Sequence, residues 1–285
     1  MKDAAAAIDT LRTGAEHNRQ DPLRKGSLLE FPNYGQLVMT GDMHGKAGNF
    51  RKLQKFCDLQ RYAGRHVLLH ELVHAEPERF NAPDFSCRLL MDAARWKCEF
   101  PEQVHFLQSN HELAQLTGQE ITKGGRTVIQ DFNDGVAEDY GRQNADEVLS
   151  AINEFIASYP YAARTPNHIF LSHSLPDAID LDDFDPDFLL RAPSAEDFLD
   201  DSDLYRLVWG RDHTPELIDH LAKAYGVGLF IVGHQPQDTG WFVIHERLLI
   251  LASDHNHGVL LPIDLSKPAD MEQLVTRMRP FVSVA

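Results

Sequence analysis

The chain has 285 residues, of which 43% are hydrophobic and 25% charged, values typical of a globular protein with a substantial core. Its net charge of −16 argues against nucleic acid and anionic membranes as partners, because both attract an excess of Lys and Arg. No stretch reaches the roughly 20 apolar residues of a membrane span, and no apolar signal-peptide core is present near the start. We therefore expect a cytoplasmic protein.

Apolar runs of strand length alternate along the chain with segments of helical spacing. The first run, 36–40, is followed by apolar residues at steps of three and four between Phe50 and Leu59, which predicts an amphipathic helix. Further strands are expected at 66–70, 104–108, 168–171, 228–232, 241–244, 248–252 and 258–263, and further helices around 87–97, 144–158 and 215–225. This order predicts an α/β sandwich with a mixed sheet that ends in a meander.

Two parts of the chain differ from this pattern in composition. Residues 1–30 are polar and predict a helical N-terminal extension, which leaves residues 31–285 as a single domain. Within that domain the stretch 177–203 is strongly acidic, with Arg191 as its only basic residue. It is interpreted as an insertion that forms either solvated surface or a lid beside the active site.

Five of the apolar runs are followed directly by side chains that can bind metal ions. In chain order, these side chains are Asp42, His44, Glu71, Asn110, His111, His173 and His234. Ligand sites in open α/β sheets form at the carboxyl ends of the strands, so we expect these side chains to converge. Carboxylate, imidazole and amide ligands suit Mn, Fe, Zn or Mg. One carboxylate among them could bridge two ions that lie a few ångströms apart.

The ordered motifs resemble a known family. Gly41-Asp42-Met43-His44-Gly45 comes first, Ser109-Asn110-His111-Glu112 follows, and Gly233-His234-Gln235-Pro236 comes after the strand-borne His173. This set resembles the calcineurin-like metallophosphoesterase superfamily and, more narrowly, its phosphoprotein-phosphatase branch of bacterial type, over roughly residues 35–265. The resemblance implies a metallophosphoesterase-type β-sandwich of mixed sheets flanked by α-helices (αββα). It also implies two divalent metal ions, with Mn favoured.

The resemblance also implies roles for individual residues. Asp42 and His44 would bind the first metal, Glu71 would bridge the two, and Asn110, His173 and His234 would hold the second. His111 would be the general acid, and Arg211, in a Trp-Gly-Arg element, would hold the substrate phosphate. A metal-bridging hydroxide would then attack the phosphorus of a phosphomonoester. Phosphoserine and phosphothreonine are the candidate protein substrates.

The second motif departs from the family pattern Gly-Asp-x-x-Asp-Arg-Gly. Here His70 precedes Glu71, His74 replaces the Asp that orients the catalytic His, and Ala75 replaces a phosphate-binding Arg, for which Arg79 could compensate. His70 and His74 are expected to lie behind the ligands or on the surface, and the alternative is that they are additional ligands.

Three hypotheses follow from this altered motif. The first is an active phosphomonoesterase, and the second is a dinucleoside-polyphosphate hydrolase, which shares these motifs. The third is a non-catalytic member of the fold that binds metal or a partner. We favour an active enzyme, because every metal-ligand position still carries a residue able to coordinate.

Overall fold

The computed structural model describes residues 1–76, 82–123 and 126–284. The helices are α1 (Ala4–Arg19), α2 (Ala47–Cys57), α3 (Cys87–Glu99), α4 (Asn110–Thr117), α5 (Val128–Tyr140), α6 (Arg142–Ala157), α7 (Asp203–Trp209), α8 (Pro215–Tyr225) and α9 (Met271–Arg277). The strands are β1 (Arg24–Lys25), β2 (Leu28–Glu30), β3 (Gln36–Thr40), β4 (Arg65–Leu69), β5 (Val104–Phe106), β6 (Thr122–Lys123), β7 (Arg126–Thr127), β8 (Ala162–Arg164), β9 (Ile169–Ser172), β10 (Leu229–Val232), β11 (Trp241–Ile244), β12 (Leu248–Leu251), β13 (Val259–Asp264) and β14 (Arg279–Pro280).

Two mixed sheets form the centre of the fold. One has the strand order β1-β2-β8-β9-β10-β12-β11, and the other has the order β14-β13-β3-β4-β5. Strands β3, β4 and β5 run parallel to one another, as do β9, β10 and β12. Parallel strands are usually covered on both faces of their sheet, and successive side chains alternate between those faces. The side chains on both faces of these strands are therefore expected to be buried.

The layers follow from that alternation. Met39 on β3, Leu171 on β9 and Ile231 on β10 share one buried cluster between the two sheets. Val38 belongs to a second cluster under α1, α3, α5 and α6, and Phe170 to a third under α7 and α8. Two sheets thus pack face to face with helices outside them, and the expected sandwich of mixed sheets flanked by helices is confirmed.

The expected meander at the end of the chain is wrong. Strand β12 lies between β10 and β11, parallel to the first and antiparallel to the second. Strand β13 joins the other sheet, where it pairs antiparallel with β3. Its first five residues, 259–263, are all buried. A strand buried on both faces fits the interior of a sheet, whereas a meander would have placed it at an edge.

The N-terminal residues and the acidic stretch are both anchored to the core. Helix α1 packs against α3 and α6 with Leu11 fully buried, while β1 and β2 extend the seven-stranded sheet. Within residues 177–203, Phe184 and Phe188 are buried in the cluster under α7 and α8, so this stretch is only partly solvated surface. The division of the chain at residue 30 stays a prediction. In the part of the chain that the structure describes, no helix is long and apolar enough to cross a membrane.

Candidate metal centre

The carboxyl ends of strands from both sheets meet at one cavity. The two sheets touch there, because Asp42 after β3 forms an isolated parallel bridge with Ala252 after β12. The cavity has a volume of about 220 Å³, and its lining includes Asp42, His44, Glu71, Asn110, His111, Arg211 and His234. His173 is fully buried, with Nε2 2.7 Å from Oδ1 of Asn110. The structure therefore brings together every site residue predicted from the sequence.

The backbone at this cavity is unusual for residues other than glycine. His44, Glu71, His74 and His234 have φ angles of 36°, 51°, 59° and 67°, all in the left-handed region. Such a conformation costs on the order of 1–3 kcal/mol per residue and persists where the surrounding structure enforces it. Here it turns the chain sharply after β3, β4 and β10, and the side chains of His44, Glu71 and His234 line the cavity. Strain concentrated in this way indicates a functional constraint.

One group of electron-pair donors surrounds His173. Its Nε2 atom lies 2.7 Å from Oδ1 of Asn110, 3.1 Å from Nδ1 of His234 and 2.9 Å from Oε2 of Glu71. Nε2 of His234 lies 3.1 Å from the carbonyl oxygen of Trp209 and donates to it, so Nδ1 of His234 carries a lone pair. An amide oxygen, a carboxylate and two imidazoles thus converge. This is the donor chemistry of a divalent metal ion such as Mn, Fe or Zn.

A second group shares the same carboxylate. Nε2 of His44 and Nε2 of His111 each lie 3.5 Å from Oε1 of Glu71. Nδ1 of His44 lies 3.0 Å from the carbonyl oxygen of Val73 and donates to it, which leaves Nε2 as the electron-pair donor. Glu71 therefore stands between two groups of possible ligands, the position that a bridging carboxylate would need. His111, expected as an acid, lies within ligand range of His44 and Glu71.

Helix α4 presents Asn110 and His111 in its first turn. Ser109 caps the helix by accepting a hydrogen bond from the backbone N–H of Glu112. The Glu112 side chain accepts from the Ser109 hydroxyl and from the backbone N–H of Leu72, at 2.6 Å for the latter. Burial and the nearby Glu71 raise the pKa of Glu112 to about 7. Glu112 thus ties the helix to the segment that carries Glu71.

Burial governs the charge of the cavity. Burial, and then the neighbouring Glu71, raises the pKa of Asp42 well above its usual range. Burial, and then the nearby His44, holds the pKa of His173 well below its usual range. Burial, and then His173, lowers the pKa of His234 to about 2. Burial thus disfavours both carboxylate and imidazolium charge in this cavity, and a bound dication would favour ionised Asp42 while leaving the imidazoles neutral.

His70 and His74 have more specific positions than the sequence predicted. Both are buried, so the surface alternative is wrong. Nδ1 of His70 lies 2.9 Å from Nδ1 of His173, and Nδ1 of His74 lies 3.0 Å from Nδ1 of His111. In the sequence, the feature that points to their role is their position directly before and three residues after Glu71. Arg79, the suggested replacement for the missing Arg, lies outside the described residues.

Arg211 lies at the rim, held through its backbone. Its N–H and that of Asp212 both donate to Oδ1 of Asp177, at 2.5 and 2.6 Å. Gly210 fits against the chain before Asp177, where a Cβ atom would come within 2.1 Å of the carbonyl oxygen of Leu175. Asp177 is the first residue of the acidic stretch 177–203. This stretch therefore begins beside the cavity, and Asp177 holds Arg211 at the rim of the cavity.

Comparisons with known proteins identify the fold of this chain. No family model matches the sequence, and no match was found among curated proteins. A protein serine/threonine phosphatase from Saccharomyces cerevisiae has a TM-score of 0.67 at 13% identity, covering 100% of this chain and 91% of that one. The cold-active protein-tyrosine phosphatase of a psychrophilic Shewanella species has a TM-score of 0.61 at 16% identity, covering 88% and 80%. This chain has a metallophosphoesterase-type fold. At these identities the likeness establishes the fold, and the activity is a matter for proposal.

Proposed function

We propose that the protein is a phosphoesterase that requires two divalent metal ions and hydrolyses phosphomonoesters, with phosphoserine and phosphothreonine as candidate substrates. The observation that carries the proposal is the position of Glu71. Its Oε2 atom faces the donor group at His173, and its Oε1 atom faces His44 and His111. A single carboxylate between two groups of ligands is the arrangement that a pair of ions requires.

The resemblance assigns the ligands of the two ions, and the groups His44–Glu71–His111 and Glu71–His173–His234 support that assignment. Asp42, His44 and Glu71 would hold one ion, and Glu71, Asn110, His173 and His234 the other. When bound, the two ions would activate a water molecule and neutralise the phosphate oxygens. The mixed nitrogen and oxygen donors suit Mn, Fe, Zn or Mg, and Mn is the metal we would supply first.

Two further side chains have roles toward the substrate. Arg211 at the rim would pair with two oxygens of the phosphate, because a guanidinium offers two parallel donors to such a group. His111 would donate a proton to the departing oxygen, because imidazole can carry a proton near neutral pH. Both line the cavity together with Asp42 and His234. The two solved neighbours are named as protein phosphatases, which supports phosphate esters as the substrate class.

The test combines metal content with turnover. Elemental analysis should find about two metal ions per chain, and p-nitrophenyl phosphate hydrolysis should rise with Mn²⁺ and stop with EDTA. Asp42→Asn and His234→Ala should each lose metal and turnover, because the first removes the negative charge of a ligand and the second removes a ligand. His220→Ala on the exposed face of α8 is the matched control and should retain both. A chain that binds no divalent metal would contradict the proposal.

Substrate choice requires a separate comparison. A phosphoserine peptide, a phosphothreonine peptide and diadenosine tetraphosphate should be compared at equal enzyme and Mn²⁺ concentrations. Faster turnover of the peptides supports the phosphomonoesterase, and faster turnover of the dinucleotide would replace it with a polyphosphate hydrolase. Metal binding without turnover of any substrate would indicate a non-catalytic binding protein, for which the altered second motif is the sequence evidence.

A further inference from the structure

The altered second motif places a buried histidine directly behind a candidate metal ligand. His70 and His173 are both fully buried, and their Nδ1 atoms lie 2.9 Å apart. Nε2 of His70 lies 2.8 Å from the backbone carbonyl oxygen of Thr40. A carbonyl oxygen only accepts hydrogen bonds, so Nε2 of His70 must carry a hydrogen. In the neutral ring, Nδ1 of His70 is then an acceptor.

That acceptor influences which nitrogen of His173 carries its hydrogen. A contact of 2.9 Å between two ring nitrogens is a hydrogen bond only if one of them donates, and Nδ1 of His70 cannot donate in the neutral ring. This contact therefore favours the tautomer of His173 with the hydrogen on Nδ1 and the lone pair on Nε2. Nε2 is the atom that faces Asn110, His234 and Glu71. Without a bound ion, Asn110 and Glu71 favour the opposite tautomer, because their oxygens only accept hydrogen bonds.

We propose that His70 is a positioning residue that favours the Nδ1–H tautomer of His173, so that its Nε2 lone pair is presented to a divalent metal ion. The carbonyl group of Thr40 on β3 would thus influence the tautomer of His173, directly after β9, through the imidazole of His70, directly after β4. Partners behind a ligating histidine fix its ring orientation and tautomer, and their loss weakens metal binding by about 10- to 100-fold.

The packing around His70 supports a fixed orientation. Gly233 lies against it so closely that a Cβ atom there would come within 2.5 Å of Cε1 of His70 and 2.2 Å of Oδ1 of Asp42. The imidazole ring therefore has little room to rotate. Oδ1 of Asp42 in turn accepts the backbone N–H of His234 at 2.9 Å. His70 is thus enclosed by the same segments that carry the metal ligands.

The inference rests on the proposed function only in taking the bound group to be a divalent ion, so one test uses metal-free protein. In wild-type protein with ¹⁵N-labelled histidine, the ring spectrum should show a population of His173 with Nδ1 protonated and Nε2 unprotonated, with the signals assigned by their loss in His173→Gln. In His70→Leu, which leaves Asn110 and Glu71 as partners of His173, the signals should shift toward the tautomer with Nε2 protonated. The same His173 spectrum in wild type and His70→Leu would overturn the inference, whatever the metal does.

A second test measures binding of Mn²⁺ and Zn²⁺ by calorimetry. We expect His70→Leu to weaken the binding at one site by about 10- to 100-fold. His70→Asn should recover most of that loss, because its amide can accept from His173 and donate to Thr40. The matched control is His66→Leu at the other end of β4, which removes another buried pair of histidines, with Nδ1 of His66 3.1 Å from Nε2 of His105. It should destabilise the fold without changing metal affinity.

The two tests separate failure of the inference from failure of the proposed function. Unchanged metal affinity in His70→Leu would overturn the inference and leave the phosphoesterase proposal intact. Loss of affinity in His70→Leu without rescue in His70→Asn, accompanied by an equal loss in His66→Leu, would mean that only stability had changed and would also overturn it. If the wild-type protein binds no metal, the proposed function fails, and the spectrum alone decides the tautomer.

Discussion

Nδ1 of His74 lies 3.0 Å from Nδ1 of His111, in the position where the family that the sequence resembles carries a carboxylate. Nε2 of His74 lies 2.9 Å from Oε1 of Gln115, whose amide nitrogen donates to Asn133 at 3.1 Å. Gln115 is thereby oriented as an acceptor, so His74 donates through Nε2 and accepts from His111 through Nδ1. A neutral imidazole supports His111 where an aspartate would supply a negative charge.

We predict that His74→Asp increases turnover of substrates with poor leaving groups. A carboxylate beside Nδ1 favours the protonated form of His111, which is the form that can give a proton to the departing oxygen. The increase should be roughly tenfold for a phosphoserine peptide, a small part of the range that general acid catalysis covers. Turnover of p-nitrophenyl phosphate should stay nearly unchanged, because its leaving group departs without a proton. The measurement is kcat on both substrates with Mn²⁺ saturating.

His74→Asn is the control for this prediction. It offers a neutral group of similar size to a carboxylate, so it should not produce the increase. If His74→Asp and His74→Asn have the same effect on the phosphoserine peptide, charge at this position does not assist the reaction. If His111→Ala retains full activity on that peptide, His111 is not the acid.

Glu71 should tolerate neither loss of charge nor shortening. Glu71→Gln keeps the shape but removes the charge between the two ligand groups, so we expect both ions to be lost by elemental analysis. Glu71→Asp restores the residue of the family pattern but withdraws the carboxylate by roughly one bond length, about 1.5 Å. Because Oε2 already lies 2.9 Å from Nε2 of His173, the shorter side chain should bind metal more weakly. A large gain of activity in Glu71→Asp would contradict this interpretation of the contact.

Much of the fold could be predicted because its strands are short runs rich in apolar residues. The structure has strands with the expected bounds 36–40 and 241–244, the first largely buried and the second at a sheet edge with Phe242 exposed. The convergence of Asp42 and His173 followed from their positions directly after strands. These inferences depend on local composition and on one general rule about parallel sheets.

The contacts within the site could not be predicted in the same way. His70 and His173 are 103 positions apart in the chain, and the partner that fixes His70 is a backbone carbonyl, which every residue possesses. The side chain of Gln115 has no feature in the sequence that marks it as the partner of His74. The strand order of β12 and β13 likewise depends on competition for buried positions between sheets, which periodicity does not reveal.

Gly233→Ala should disrupt the site more than the fold. The added Cβ would meet Oδ1 of Asp42 at 2.2 Å and Cε1 of His70 at 2.5 Å, so both side chains would have to move. We expect at least a tenfold loss of metal affinity, as for other changes behind metal ligands, with about 1–3 kcal/mol of destabilisation from overpacking. Calorimetric titration and urea unfolding measure the two effects.

Gly48→Ala is the matched control for this substitution. Nothing lies within 4 Å of a Cβ atom at Gly48, which is in helix α2, so alanine there should leave metal affinity unchanged. It should also stabilise the fold slightly, because alanine favours helix over glycine. Equal metal affinity in Gly233→Ala and the wild type would show that the site tolerates the displacement of Asp42 and His70.

A buried cluster around Asp21 should make the stability of the fold depend on pH in the acidic range. Oδ2 of Asp21 lies 2.8 Å from Nδ1 of His105 and 3.3 Å from Nζ of the fully buried Lys97. Burial alone would raise the pKa of Asp21, but the hydrogen bond and charge of His105, and then Lys97, outweigh it and lower the pKa from 3.8 to about 2. The folded state therefore binds a proton less readily than the unfolded state.

The sign of the pH effect follows from that difference. The contribution of ionised Asp21 is fully present above the unfolded value of 3.8 and is lost as the pH falls toward the folded value of about 2. The pH-dependent part is about 2 kcal/mol, from a shift of nearly two pKa units. The free energies of urea unfolding of wild type and Asp21→Asn should therefore differ most near pH 7, and the difference should narrow below pH 4.

Asp264→Asn is the control. The hydrogen bond from Lys267 lowers the pKa of Asp264 to about 2, but this pair lies at the surface, where solvent screens it. The pH dependence of stability should therefore change less in Asp264→Asn. A difference between wild type and Asp21→Asn that is constant from pH 7 to pH 3 would show that the charge of Asp21 does not contribute.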